Sequence, residues 1–196
     1  MSASPLRDFV VAVTQELAHE ATEARRLAAV RAHLARLLAS DDWLPDELAQ
    51  PHPDFYRQYL LHADPLERFS VVSFVWGPGQ RTPVHDHTVW GLVGMLRGEE
   101  IAQPFGHHAH GRLVPLGDAQ RLLPGQIEAV SPTLGDIHQV SNAFADRTSI
   151  SIHVYGANIG AVQRWVYAAD GNRKPFVSGY SNTTVPNLWD RSKEIA

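Results

Sequence analysis

The chain has 196 residues, of which 44% are hydrophobic and 19% charged, and its formal net charge is −4 at pH 7. This composition is typical of a globular protein with a buried core, and the absence of a lysine and arginine block argues against nucleic acid as a partner. No apolar run approaches the roughly 18 residues of a membrane span, and no signal-peptide pattern is present, so we expect a cytoplasmic protein without a membrane partner. The chain has no cysteine, which excludes disulfides and thiolate metal ligands.

Residues 5–39 carry apolar side chains at helical spacing, in two stretches that each form one stripe. A helix with one apolar stripe packs that stripe on something larger. We therefore predict a helical N-terminal segment over residues 1–50, with a short helix after Pro45. The two stripes consist of Leu6, Phe9, Val10, Val13 and Leu17, and of Leu27, Val30, Leu34, Leu37 and Leu38.

From about residue 55 the sequence changes to short β-branched and aromatic runs that are separated by Gly and Pro. The strongest run covers residues 69–76, and further strands are predicted at 90–96, 101–105, 113–115, 126–130, 139–141, 149–155 and 162–167. Many short strands with frequent turns are typical of a β-sandwich or barrel, here over residues 51–170. Residues 171–196 retain Phe176, Tyr180 and Trp189, so we expect an extended arm that packs on the barrel within a single domain, residues 1–196.

His85 and His87 are separated by one residue, so on a β-strand both side chains would lie on the same face. Imidazole binds zinc, copper, iron and nickel, and three protein ligands leave open the positions that a catalytic metal needs. We expect the third ligand on a neighbouring strand, and His138 is the best candidate. The alternative is a metal-free barrel whose histidines are only hydrogen-bonded. A second cluster, His107, His108 and His110, is predicted to be a solvated turn.

Ser151, His153 and Tyr155 alternate with apolar residues, so they share one face of a predicted strand. If that face is the interior of the barrel, the three side chains must hydrogen-bond to one another, which would fix the tyrosine phenol. The alternative is a half-buried edge strand with a polar outer face.

The spacing Gly79-x5-His85-x-His87, followed by Gly98, resembles the first motif of the cupin superfamily, and Gly135-x2-His138-x3-Asn142 resembles the second. The resemblance implies a mainly β fold, a cupin jelly-roll barrel with the N-terminal α-helices packed on it. The glutamate that the first motif usually carries is absent, because Gly91 and Leu92 occupy its place. Three neutral histidines without a carboxylate favour an anionic ligand at the metal.

The cupin motifs, together with Tyr56-Arg57-Gln58, residues 69–77 and Ser151-x-His153-x-Tyr155, resemble the cysteine dioxygenase family of thiol dioxygenases over roughly residues 50–170. The resemblance implies a ferrous ion, Fe(2+), held by His85, His87 and His138, with Ser151, His153 and Tyr155 as an outer relay. It also implies that a small thiol and O2 are converted to a sulfinic acid. That reaction balances without an external reductant, because sulfur loses the four electrons that O2 accepts.

Two positions in the sequence, compared with the same family, suggest which thiol is the substrate. Animal-type cysteine dioxygenases bind the substrate carboxylate with an arginine, whereas Gln58 stands there, as in bacterial 3-mercaptopropionate dioxygenases. In those relatives a different arginine, nine residues after the tyrosine, is implicated, and Arg164 has that spacing. The cysteine that cross-links to the tyrosine in the animal-type enzymes is replaced by Gly91 or its neighbour. A one-residue shift would align Arg57 instead of Gln58 and favour L-cysteine.

We therefore expect conversion of 3-mercaptopropionate to 3-sulfinopropionate, with Gln58 and Arg164 at the substrate. The alternatives are a cysteine dioxygenase that makes cysteine sulfinate, a non-catalytic metal-binding cupin, and a zinc or manganese isomerase of the cupin type. The sequence leaves the oligomeric state open.

Overall fold

The computed structural model describes residues 4–108 and 111–192. Two helices open the chain, α1 (Ser4–Glu16) and α2 (Glu23–Leu37), and a short 3-10 helix follows at Asp46–Leu48. Thr22 caps α2 by accepting a hydrogen bond from the backbone N–H of Arg25, which satisfies one of the free donors at a helix start. The two predicted helices and the short helix after Pro45 are present.

The described residues form twelve strands in two sheets, and the strand pairs are antiparallel. The strands are β1 (Arg57–Ala63), β2 (Ser70–Trp76), β3 (Val84–His85), β4 (Gly91–Arg97), β5 (Glu100–His107), β6 (Leu113–Pro115), β7 (Gln120–Leu122), β8 (Ile127–Val130), β9 (His138–Asn142), β10 (Ser149–Tyr155), β11 (Arg164–Tyr167) and β12 (Arg173–Phe176). The first sheet has the order β1-β2-β10-β4-β8. The second has the order β12-β11-β3-β9-β5-β6, with β7 paired to β5.

The three central strands of the first sheet, β2, β10 and β4, are buried on both faces. On β2, Val71 and Val75 pack into the cluster formed with the helices, whereas Val72, Phe74 and Trp76 belong to the cluster between the two sheets. This follows from strand geometry, because successive side chains point to opposite faces. The helices therefore cover the outer face of the first sheet. They pack so closely on β4 that a Cβ at Gly94 would lie 2.6 Å from Leu38 Cδ1. The predicted mainly β jelly-roll architecture with N-terminal helices packed on it is confirmed.

Strand β10 is the middle strand of the first sheet, between β2 and β4, so the alternative of an edge strand is wrong. Every residue of β10 is buried. Its apolar residues Ile150, Ile152 and Val154 join the cluster beneath the helices, which leaves the alternate positions facing the second sheet. The residues at those positions are Ser151, His153 and Tyr155.

Three strands, β1, β7 and β12, were not predicted from the sequence. The described part of the predicted arm packs on the sheets. Strand β12 pairs with β11, the N–H of Ser181 donates to the carbonyl of Gln58 on β1, and the N–H of Gln58 donates to Ser181 Oγ. Leu188 is 2% exposed. His107 and His108 are exposed, whereas His110 lies outside the described residues. Among the helices of the described ranges, none is long and apolar enough to cross a membrane.

Asn142, at the end of β9, joins three segments near the end of the first sheet. It is 6% exposed, and its side-chain amide both donates and accepts. The partners are the carbonyls of Trp76 (3.2 Å), Gly77 (2.9 Å) and Arg147 (2.8 Å) and, as donors, Ser149 Oγ (2.8 Å) and the N–H of Phe144 (3.0 Å).

Replacing Asn142 by alanine should lower the free energy of unfolding by about 3 kcal/mol, because several buried groups lose their partner at once. Urea unfolding followed by circular dichroism measures the change. The matched control is Asn172→Ala, on an exposed turn where the side chain bonds only Asp170, and it should change stability by less than about 0.5 kcal/mol. Equal midpoints for the two variants would contradict the assignment.

Candidate metal centre

Three histidine rings from two separate segments of the chain meet at one point. His85 ends β3, and His138 begins β9 directly opposite it in the strand register. One potential ligand atom from each of His85, His87 and His138 lies within 4.8 Å of the others. The ring centroids are 4.9 to 5.0 Å apart, and the three residues are 8%, 1% and 7% exposed, respectively. Among the described residues, this group contains no carboxylate.

The prediction that His85 and His87 lie on one face of the same strand is wrong, because β3 ends at His85. The chain beyond it is held by Asp86 instead. The N–H of Asp86 donates to the carbonyl of Trp165 (3.1 Å), and its carboxylate accepts from the N–H of Trp165 (2.8 Å) and the hydroxyl of Tyr167 (2.7 Å). Hydrogen bonds from the Asp86 carboxylate to β11 therefore replace the backbone strand pairing that ends at His85, and they fix the position of His87.

Asp136 orients the ring of His87. Its Oδ1 accepts from Nδ1 of His87 (2.9 Å) and from the N–H of the same residue (3.0 Å), and its Oδ2 accepts from the N–H of Thr88 (2.8 Å). Burial alone would raise the pKa of Asp136, but the hydrogen bonds from His87 and the backbone outweigh burial and lower the pKa. A carboxylate that accepts from one ring nitrogen leaves the other free to bind a metal and makes it more basic.

His85 is held in the same way by a carbonyl. Its Nδ1 lies 3.1 Å from the oxygen of Pro83, which can only accept, so Nδ1 carries the proton and Nε2 is free. Burial, and next the neighbouring His87, lower the pKa of His85 to about 3. Burial also lowers the pKa of His138 well below its usual value. Neutral, buried imidazoles with free ring nitrogens fit a divalent first-row transition metal.

A chain of hydrogen bonds lies behind the centre on β10. Ser151 Oγ is 2.8 Å from Nε2 of His153, and Nδ1 of His153 is 2.8 Å from the hydroxyl of Tyr155. The ring of Tyr155 stacks on His87 with the centroids 5.5 Å apart, and burial raises its pKa. Ser151 also donates to the carboxylate of Glu100, which is 1% exposed.

A cavity of about 180 Å³ adjoins His85. With about 30 Å³ of liquid per water, it has room for a molecule of several heavy atoms. It brings together Gln58 of β1 and Arg164 of β11, the two residues that the sequence assigned to substrate binding. Arg57, the neighbour of Gln58, is not part of the lining, and its guanidinium lies over Phe55 (5.5 Å). The lining residues are Tyr56, Gln58, Phe74, Thr82, Pro83, His85, Arg164, Val166 and Phe176.

Arg164 is a buried cation, with 3% of its surface exposed. Its Nη2 donates to Ser178 Oγ (2.6 Å), its guanidinium lies over the ring of Phe176 (4.6 Å), and its Nε has no hydrogen-bond partner. Within the part of the chain that the structure describes, no carboxylate forms an ion pair with it. Burial lowers the pKa of Arg164, although nearby Tyr155 and Tyr56 oppose that shift.

A family model described as cysteine dioxygenase type I matches residues 2–167. The chain belongs to this family. Similar solved structures include a Klebsiella pneumoniae protein with a double-stranded β-helix domain (20% identity over 59% of this chain and 89% of that chain, TM-score 0.46) and a cupin-like protein from Thermotoga maritima (19%, 66% and 85%, TM-score 0.44). An oxalate oxidase is also similar (15% identity over 61% of each chain, TM-score 0.44). Membership of the cysteine dioxygenase type I family supports a thiol dioxygenase, and the three histidines can hold a metal ion.

Gly91 lies opposite Tyr155 in the register of β4 and β10. A Cβ at this position would be 2.8 Å from Cδ1 of the tyrosine ring and 3.0 Å from Val130. The space beside the ring is therefore closed to a side chain unless the ring moves, and the chain has no cysteine. In this member of the cysteine dioxygenase type I family, Tyr155 is held by stacking and hydrogen bonds without a thioether link.

Three carboxylates that hold the site, Asp86, Asp136 and Glu100, were not predicted from the sequence. The first two lie beside or between the histidines of the motifs, so their position in the sequence was the available signal. Glu100 gave no such signal, because it reaches Ser151 from 51 residues away in the chain.

Replacing Asp136 by asparagine should weaken metal binding by about 10- to 100-fold, because the charged partner that fixes and activates His87 is lost. Titration of the metal-free protein with Zn²⁺ or Fe²⁺, followed by calorimetry, measures the affinity. The control is Asp118→Asn, an exposed carboxylate. An Asp136→Asn protein that binds metal as tightly as the Asp118→Asn protein would refute the role.

Proposed function

We propose that this protein is an iron-dependent thiol dioxygenase that converts 3-mercaptopropionate and O2 to 3-sulfinopropionate. The reaction balances, because both oxygen atoms end on sulfur, which supplies the four electrons that O2 takes up. The ferrous ion, held by His85, His87 and His138, would supply binding positions for the thiolate and redox chemistry toward O2, which zinc does not have. A single domain over residues 1–196 and a cytoplasmic location are part of this proposal.

The observation that carries the proposal is the buried charge of Arg164 beside the ligand His85. A buried guanidinium is costly unless an anion pairs with it, and Ser178 offers only a hydroxyl. A substrate carboxylate would accept two parallel hydrogen bonds from such a fork. A small carboxylated thiol would then have its negative end at Arg164 and its sulfur toward the histidines.

The lining of the cavity favours a carboxylate without an amine. Among the described residues that line it, none is acidic, and Arg164 is the charged one. The ammonium group of L-cysteine would be desolvated there beside a cation, whereas 3-mercaptopropionate has no such group. Gln58 adds an amide that can donate to the carboxylate or accept from a thiol. This supports 3-mercaptopropionate over L-cysteine.

Behind the substrate, we assign Ser151 and His153 the role of orienting Tyr155. The ring of Tyr155 stacks on His87, and its hydroxyl belongs to a buried hydrogen-bond chain. The hydroxyl is therefore held in one position beside the metal centre. A positioned hydroxyl of this kind can stabilise charge that develops on oxygen or sulfur during the reaction.

Iron-loaded protein should consume O2 with 3-mercaptopropionate at a higher kcat/KM than with L-cysteine or cysteamine, and 3-sulfinopropionate should form. An oxygen electrode and mass spectrometry of the product measure this. His138→Ala should lose iron and turnover together, and full turnover in that variant would contradict the ligand assignment. A preference for L-cysteine would indicate a cysteine dioxygenase. Absence of O2 uptake in iron-loaded protein would indicate a metal-binding cupin, and metal analysis would identify a zinc or manganese isomerase.

Arg164→Ala should raise KM for 3-mercaptopropionate by roughly 10- to 100-fold, because charge-assisted bonds to the carboxylate are lost. KM for cysteamine, which has no carboxylate, should change far less. The matched control is Arg57→Ala, because Arg57 adjoins Gln58 but does not line the cavity. Equal losses for both substrates, or a larger effect of Arg57→Ala, would remove Arg164 from this role.

A further inference from the structure

Glu100 is a buried carboxyl group that belongs neither to the metal centre nor to the substrate cavity. It lies on β5 of the second sheet, where its backbone pairs with Asn142, and it is 1% exposed. Its side chain crosses to the first sheet, where it accepts a hydrogen bond from Ser151. Within the described ranges, no lysine or arginine forms an ion pair with it. A buried carboxyl group without a cation loses its preference for the charged form.

Four groups follow one another from Glu100 to the metal centre. Ser151 contacts both Glu100 and Nε2 of His153 (2.8 Å), and Nδ1 of His153 contacts the hydroxyl of Tyr155 (2.8 Å). The ring of Phe74 stacks on His153 with the centroids 4.2 Å apart, which keeps the imidazole in this orientation. Each ring nitrogen of His153 therefore has one fixed partner.

We propose that Glu100 is a positioning residue for Tyr155, and that gain or loss of its proton reverses the direction of this hydrogen-bond chain. In the ionised state, Glu100 can only accept, so Ser151 must donate to it. Ser151 then accepts from Nε2–H of His153. The bare Nδ1 in turn accepts from Tyr155, whose hydrogen therefore points away from the metal centre.

In the protonated state, every donor and acceptor exchanges roles. Glu100 donates to Ser151, Ser151 donates to Nε2, and Nδ1–H of His153 donates to the oxygen of Tyr155. The hydroxyl hydrogen of Tyr155 is then free to bond a ligand at the metal centre. The change takes up one proton at the Tyr155 end of the chain: Tyr155, His153 and Ser151 each receive one proton and pass one on, and the last proton arrives on Glu100.

The surroundings of Glu100 allow this exchange near neutral pH. Burial raises the pKa of Glu100 to about 7, against hydrogen bonds from Ser151 and Trp76 that favour the charged form. Glu128 of β8 carries a charge that also raises the pKa of Glu100, and Glu128 itself lies near Arg31 of α2. The groups that hydrogen-bond Glu100 from β2 and β10 are Trp76 and Ser151, and its register partners on β9 and β7 are Asn142 and Leu122; none of these residues is charged.

His153 is neutral in both states, because burial lowers its pKa well below the usual value. Only the position of its single ring proton changes, and this can be observed directly. The hydrogen bond from Tyr155 to a ligand at the metal centre rests on the proposed function, whereas the reversal of the hydrogen-bond chain does not.

The test is nitrogen NMR of the full chain with ¹⁵N-labelled histidine, loaded with Zn²⁺, which is diamagnetic and redox-inactive. The chemical shifts tell a protonated ring nitrogen from a bare one, and His153→Gln identifies the signals among the eleven histidines. From about pH 5.5 to about pH 8.5, the proton of His153 should move from Nδ1 to Nε2 as Glu100 ionises.

Glu100→Gln, which keeps the shape but cannot ionise, should make the His153 signals independent of pH. Ser151→Ala, which keeps Glu100 but breaks the chain, should do the same and serves if the first variant does not fold. The matched control is Glu99→Gln, a neighbouring carboxylate that pairs with Arg121, which should titrate like the parent protein. Signals that stay fixed in the parent protein, or move equally in Glu100→Gln, would overturn the proposal.

A pH profile of kcat/KM for O2 uptake separates this inference from the proposed function. Activity should fall as Glu100 ionises, and Glu100→Gln should remove that dependence on pH. If no thiol supports O2 uptake, the proposed function fails, and the NMR result still decides the role of Glu100. If O2 uptake is normal but the His153 signals are fixed, the role of Glu100 fails alone.

Discussion

The candidate metal centre depends on the pairing of β3 with β9, which sets His85 opposite His138. With two residues, β3 is too short to hold this register by itself. The register is instead held by its neighbours: Thr82 exchanges hydrogen bonds with Val140, and Asp86 bonds the backbone of Trp165. Polar contacts between buried side chains that are distant in sequence thus bring the three imidazoles together. A single regular strand could place only two of them on one face.

The polar interior of the first sheet is possible because its other face is apolar. Ile150, Ile152 and Val154 on β10 are covered by the N-terminal helices, and this burial offsets the cost of the serine, histidine and tyrosine that alternate with them. Those groups are then satisfied by one another and by Glu100 from the opposite sheet. The helices therefore stabilise the site by covering the outer face of the first sheet.

The fold and the metal centre were predictable to different degrees. Helical spacing, alternation on β10 and the histidine motifs are local patterns, so the helices, the mainly β architecture and the three histidines could be read from them. Strands β7 and β12 lack such a pattern, and β12 reads Arg-Lys-Pro-Phe. No local pattern shows that the carboxylate of Glu100 is buried, because its partner Ser151 lies 51 residues away in the chain.

Gly91 closes the space beside Tyr155, and the chain contains no cysteine at any position. The phenol is therefore held by stacking and hydrogen bonds alone, because no thioether link to a cysteine can form in this chain. A protein of a thiol-oxidising family that has no sulfhydryl of its own is also immune to mixed disulfides with its substrate or with glutathione. Under the proposed function, the rate of turnover should then depend on metal supply and substrate concentration, and should not depend on the thiol–disulfide ratio of the surroundings.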